Sequence, residues 1–400
     1  MRLATHTLPL VLLVTGGCFD LGRFDYKVTD GGATGDASGP GVDASVSSDA
    51  AGTVDAAMPA CRVTHVVTLT GGASATAEPA PVAQTSTSAF WSSVVETDGS
   101  ALLFSYDSKP PPLLVMSTTN LAAASSGAHD VRLSKPDSAS AFAVFVRQGA
   151  NEAEVLVHGL DDGSTGLVLS NSCLNLTGAD VAQSGTNWNT IIICDGALEF
   201  QTAAAPAPAF IVGAGVTRAR FAAALGQALA YVVLSTPGAS LSPLRIAEVN
   251  LAATQSVTPD AKTLSLTPLD DIAADLDASA SEVFVGGVLR TNHTLGTMLF
   301  APALLPAAVV DTMLPVAVGG TVSVATTQFG NLVVYDGPAP QGVLGVRIAA
   351  DGTAGTPFSI APDGLHPEIA ANPATGPAVV TYQLDPSTGA AARLAELTCP

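Results

Sequence analysis

The chain has 400 residues, 48% of them hydrophobic but only 12% charged, with 38 Gly, 27 Pro and a formal charge of −19 from 34 acidic against 15 basic residues. Small apolar residues separated by turn formers speak against long helices, which draw on Glu, Lys, Arg and Gln. With no cluster of Lys and Arg to displace counterions, no nucleic-acid partner is expected; the negative charge reads as what keeps an exported protein soluble.

Met1 and Arg2 give a minimal charged start, and Leu8 to Val14, broken only by Pro9, is an apolar core too short to span a bilayer. Thr15-Gly16-Gly17-Cys18 follows directly. Small residues before a cysteine at the end of an apolar run resemble the lipobox of bacterial lipoproteins, with Thr15 where that family usually has Leu. The resemblance implies that residues 1–17 are a signal peptide and that Cys18 is acylated and becomes the new N-terminus. Several acyl chains hold a protein stably on a membrane without a spanning helix. Phe19 after the cysteine, in place of Asp, implies the outer membrane. The membrane is therefore expected as a partner through the lipid alone, in an oxidising compartment of the bacterial cell envelope.

Residues 18–60 read as a tether, because from Thr29 to Pro59 the chain is mostly Gly, Ala, Ser and Asp and cannot bury enough surface to offset chain entropy. About 40 residues of this kind reach ~35 Å root-mean-square. Residues 61–400 are then the folded domain.

Cysteine arithmetic supports these boundaries. If Cys18 carries lipid, four cysteines remain, Cys61, Cys173, Cys194 and Cys399, which allow three pairings. Cys61 with Cys399 would fasten the two ends of the domain. Cys173 and Cys194 flank a strand-turn-strand unit, and a loop of that size is worth ~3 kcal/mol in the chain-entropy model. No C-x₂-C or H-x₃-H spacing supports a zinc site.

Within the domain the residues from Phe90 to Met116 set a pattern that recurs up to Leu397: short apolar runs cut by Gly, Pro, Asp and Ser, the mark of short antiparallel strands. The first buried-looking residue of each inner strand is taken as Val94, Val131, Val181, Ala219, Ile272, Val322 and Ile369. Their mean spacing is about 46 residues, a propeller-blade period. Asp271-Ile272-Ala273-Ala274-Asp275 and Glu368-Ile369-Ala370-Ala371-Asn372 nearly repeat one pentapeptide. The fold class is therefore all-β, a seven-bladed β-propeller, with β-sandwich domains as the alternative. The last unit runs out after its third strand, Arg393 to Leu397, while Arg62 to Leu69 is an orphan strand before the first unit. If this N-terminal strand closes the last blade, Cys61 meets Cys399.

Catalytic motifs are sparse. G-x-S-x-G, H-E-x-x-H and the P-loop are absent, and Gly213 to Arg218 begins like a dinucleotide fingerprint but reads as a turn. The acidic run Asp270, Asp271, Asp275, Asp277 and Glu282 hints at calcium but fails as an EF-hand loop, so no cofactor is assigned. Trp91 and Trp188 read as packing residues in preference to sugar-stacking ones. One constellation survives alignment of the units: the residue before the marked position is Asp130, Asp180, Asp271 or Glu368, and Arg218 in a fifth unit. In a propeller these circle one mouth of the channel, as a partly acidic ligand-binding rim or as carboxylates that bond backbone amides of their own inter-blade turns. The functional expectation is a non-catalytic binding or scaffolding module for a protein or glycan, with a polysaccharide-directed hydrolase or lyase as the alternative.

Overall fold

The computed structural model describes residues 60–399 except 70–74, 77, 85–88, 108–113, 135–140, 149–152, 161–162, 170–172, 174, 185–186, 203–204, 213–214, 224–228, 236–243, 251–263, 267–273, 280, 290–291, 303–308, 328–329, 372–377 and 385–390. Cys18, the tether and Asp271 fall outside the described residues.

Seven four-stranded antiparallel sheets follow one another as blades. Each runs from an inner strand outward through consecutive hairpins, the low-contact-order pairing that short strands and tight turns favour. The inner strands are Val82–Gln84, His129–Leu133, Leu176–Ser184, Arg218–Ala223, Asp275–Ala278, Val322–Thr327 and Gly364–Ala370. In the seventh blade the outermost position is taken by Arg62–Leu69, paired antiparallel with Ala392–Thr398. The propeller closed by its N-terminal strand is thus the observed architecture.

The first blade differs from the sequence reading in one respect. Val94 lies on the second strand, Ala89–Val95, and the inner strand is the three-residue Val82–Gln84. So short a run beside Pro79 and Pro81 carries no periodicity that sequence can detect.

Each blade buries both faces, which explains why second strands read as unbroken apolar runs without alternation. Every residue of Val283–Leu289 and of Ala378–Leu384 is buried. The core is accordingly divided among the seams. Val144, Val146, Val155 and Val157 of the second blade pack on Val181 and Ile192 of the third. Ile191, Ile193 and Phe200 on the other face of that blade meet Phe221, Val232 and Val249 of the fourth. Phe200 and Phe221 touch edge to face with centroids 6.0 Å apart, a favoured geometry for ring quadrupoles. Val379 and Leu394 of the seventh blade close the ring on Val82, Phe90 and Tyr106 of the first. Trp91 and Trp188 pack at blade seams.

Both disulfides form. Cys61–Cys399 joins the start of the outermost strand to the end of its neighbour, and Cys173–Cys194 spans the entry to the third blade. Two disulfides fit an oxidising, extracytoplasmic setting. No helix among the described residues is long and apolar enough to cross a membrane.

Candidate functional site

The inner strands converge on a channel, and their polar side chains reach forward from blade to blade. The Asp130 N–H donates to Glu78 Oε2 (2.8 Å), joining the first blade to the second. Asp130 Oδ2 accepts the Ala179 N–H of the third blade (2.8 Å), and Asp180 Oδ2 accepts the Phe221 N–H of the fourth (2.9 Å). Asp275 Oδ2 accepts both the Val324 N–H (2.9 Å) and the Ser323 hydroxyl (2.8 Å) of the sixth. The Ile369 N–H of the seventh donates to Ser323 Oγ at 3.2 Å. Gln383 Nε2 donates to the Thr76 carbonyl at 2.7 Å and so returns to the first blade.

Asp130 and Asp180 therefore each bind an amide of the next blade, and Asp180 also binds that of Val181 beside it on its own strand. A sheet edge at the channel has N–H groups that need acceptors, and a carboxylate from the preceding blade supplies them. Gly178 carries no side chain where a Cβ would stand 3.0 Å from Asp130 Oδ2, so the carboxylate can pass. In the fifth blade this stitching falls to Asp275. Asp277 and Glu282 of the acidic run do likewise, accepting the Thr326 N–H (2.7 Å) and Asn331 Nδ2 (2.6 Å) of the sixth blade.

Two of the register shifts in the inner ladders bear on the site. Register shifts lie between His129 and Arg132 and between Leu365 and Glu368, and Asp130 and His366 have φ of 48° and 54°. A bulge re-aims the side chains that follow it. Here the two bulges deliver Arg132 and Glu368 to each other across the channel, with Arg132 Nη1 3.3 Å from Glu368 Oε1. Arg132 Nη2 lies 3.1 Å from Asp130 Oδ1 and Arg220 Nη2 lies 3.8 Å from Glu368 Oε1. Ser323 donates to Glu368 Oε2 at 3.2 Å.

Beside this ion-pair cluster is a cavity of about 250 Å³, lined by Glu78, Asp130, Arg132, Asp180, Arg218 and Arg220 with Thr177, Thr217 and the backbone around Gly178. Of the rim residues read from sequence, Asp130, Asp180 and Arg218 line the cavity and Glu368 stands behind it. Glu78, Arg132 and Arg220 were not foreseen. Period-2 alternation would have found Arg220, which shares a strand face with Arg218, but not Arg132, which follows the irregularity at Asp130.

Burial sets the electrostatics. Asp180 is 6% exposed, and desolvation pushes its pKa up to about 6 against the pull of Arg220, Arg132 and two amide N–H groups. Glu78 is also raised, chiefly by burial. Arg218, exposed at the lip, is lowered by desolvation and by the guanidiniums of Arg220 and Arg132, which outweigh Asp130 and Glu368. Among the described residues the grouping of metal-ligating types is Cys173, Cys194 and Asp195, whose sulphurs are joined in a disulfide.

No protein-family model matches the chain, and no curated relative does. Among solved structures, the Cps50 (Swd1) β-propeller domain of Myceliophteria thermophila is similar with a TM-score of 0.51 at 11% identity, over 85% of this chain and 100% of that one. A protein of unknown function from Dyadobacter fermentans gives 0.47 at 12% identity, over 86% and 100%. AofleA from Arthrobotrys oligospora gives 0.48 at 10% identity, over 74% and 90%. The first of these likenesses supports the fold and nothing finer.

Proposed function

We propose that this propeller is a non-catalytic binding module, held on the bacterial cell envelope, at the outer membrane, by acylation of Cys18, and that it meets its ligand at the channel-mouth cavity. The observation that carries the reading is the state of the carboxylates around that cavity. Both oxygens of Asp180 accept amide N–H groups, from Val181 (2.8 Å) and Phe221. Asp130 is shared between an amide and Arg132, and Glu368 between Arg132 and Ser323. Carboxylates committed to the scaffold are poorly placed to shuttle protons or attack a substrate, but they build a rigid, polar wall.

The second reading, a polysaccharide hydrolase or lyase, draws on Asp180, whose pKa of about 6 suits a general acid near neutrality. One screen separates the two. The full chain is tested against a glycan panel and envelope extracts, with and without calcium, and retained glycans are assayed for cleavage. Retention without turnover supports the module, turnover abolished in Asp180→Asn supports the enzyme, and no retention at all removes both. Loss of membrane-fraction partition and of palmitate labelling in Cys18→Ala is the expected sign of the anchor. Unchanged partition in that variant would remove it.

A further inference from the structure

We propose that the contact of Arg132 with Glu368 across the channel is held by a proton-operated latch: the Asp336 carboxylate of the sixth blade grips the bulge that carries Glu368, and a proton taken up on that carboxylate lets the bulge go. Such a latch operates whether or not the cavity holds a ligand. Because Arg132 and Asp130 line the cavity, its release also reshapes that wall.

The two bulges behind the contact are built alike. In the second blade Asp130, at φ 48°, donates its N–H to Glu78 Oε2 (2.8 Å). In the seventh His366, at φ 54°, donates its N–H to Asp336 Oδ1 (3.0 Å). Neither residue is glycine, and a side chain at positive φ persists only where its surroundings hold it there. Pro367 narrows further the conformations open to His366 before it. The register shift that spans His366 is the one that sets Glu368 3.3 Å from Arg132. A carboxylate supplied by the preceding blade is thus the hold on each bulge.

Asp336 is 2% exposed and both of its oxygens are taken. Oδ2 accepts the N–H and the hydroxyl of Thr321 (2.8 and 3.0 Å), while Oδ1 accepts His366. The turn is drawn close over it, since a Cβ at Gly320 would stand 2.8 Å from Asp336 Cβ. A proton on either oxygen sets a donor against an N–H, so one of these bonds must give way. His366, with one bond against the two of Thr321, is the weaker hold, which puts the proton on Oδ1. Burial raises the pKa of Asp336 above the ordinary carboxylate value, against the pull of the Thr321 N–H and the His366 ring. The folded chain therefore takes this proton more readily than the unfolded one, so the release is local and the propeller stays folded.

The charged groups around the latch set its direction. Facing Asp336 is His366, whose Nδ1 lies 3.9 Å from Oδ2 and has no hydrogen-bond partner among the described residues. Val343, opposite Asp336 on the next strand, and Thr321 are uncharged. Around Glu368 stand Arg132 and Arg220, and around Glu78 stand Asp130, His129 and Arg132. A charged His366 favours the ionised form of Asp336, so the latch stays shut until acid overcomes that pull. Glu78, raised chiefly by burial, yields in the same direction.

The test is backbone amide exchange on the full chain between about pH 7.5 and about pH 5, read as protection factors corrected for the intrinsic pH dependence. Protection over Gly364–Ala370 is expected to fall at least about tenfold on acidification while that over Val283–Leu289 of the fifth blade stays unchanged. Asp336→Asn, with one acceptor oxygen in place of two, is expected to show the low protection already at pH 7.5. His366→Gln, which removes the facing cation, is expected to open at higher pH, a result that serves even if Asp336→Asn does not fold. Glu368→Gln breaks the contact but leaves the latch, so Leu365 and His366 should keep their pH response. Equal protection at both pH values, a folded Asp336→Asn as protected as the parent, or an opening pH unmoved by His366→Gln would each overturn the latch. Loss of the pH response in Glu368→Gln would assign the titration to Glu368 itself and overturn it as well.

Discussion

Arg132 of the second blade and Glu368 of the seventh meet across the channel with 3.3 Å between Nη1 and Oε1, each placed there by a bulge in its own inner strand. The pair ties together blades that share no seam. Removing one partner leaves a buried charge under-compensated, so Glu368→Gln is expected to lower stability by ~1–3 kcal/mol. Urea unfolding of Glu368→Gln, Arg132→Met and the double variant measures the coupling directly. Additive losses would show that the two side chains act separately.

Asp180 gives the protein a pH dependence of definite sign. Its pKa is about 6 when folded against an ordinary 3.8, so between these values the native state holds the extra proton. Stability contributed by that proton is present at low pH and is lost as pH rises through about 6. The difference amounts to at most ~3 kcal/mol at 1.4 kcal/mol per pH unit. Glu78 and Asp336, also raised by burial, act in the same direction. Asp180→Asn is expected to flatten the slope between pH 4 and 6 in urea midpoints taken across that window, and an unchanged slope would contradict it.

The two disulfides are unequal in what they constrain. Cys61–Cys399 closes a separation of 338 residues and Cys173–Cys194 one of 21. In the chain-entropy model these correspond to ~6 and ~3 kcal/mol. The pair Cys61→Ser with Cys399→Ser should therefore lower the melting temperature more than Cys173→Ser with Cys194→Ser. It should also free the closing strand, read as faster amide exchange over Arg62–Leu69.

Gly342 is fixed by backbone on both counts that can require glycine. Its φ is +63°, and a Cβ there would run into the Ala361 carbonyl oxygen and the Pro362 backbone. Neither neighbour is the end of a flexible side chain, so Gly342→Ala is expected to cost ~2–4 kcal/mol. Gly163, also at positive φ but with nothing within 4 Å, should lose only the conformational part, ~1 kcal/mol. Chemical denaturation of the two variants side by side separates strain from collision.

Much of the architecture was legible because it is written in local terms. Turn residues and short apolar runs set strand number and spacing, and the orphan strand Arg62–Leu69 with the truncated last unit implied closure. The site was legible only in part. Asp130, Asp180, Arg218 and Glu368 stood out by repeating at one register. Arg132 and Arg220 follow the marked position in two of the seven units, too few to stand out, and gain meaning from residues on other blades. The inner strand of the first blade was missed because a three-residue strand has no period of its own.

The sequence by itself determined how often the chain turns back, which strands pair with their neighbours and which cysteines lie near the ends, since each depends on residues close together in the chain. Only the tertiary structure decided what the acids do. An acceptor on one blade finds its amide on the next, and the contact of Arg132 with Glu368 exists because seven separate hairpin sheets bend round to a common axis. Charge and hydrogen bonding act over a few ångströms of space, whatever the distance along the chain.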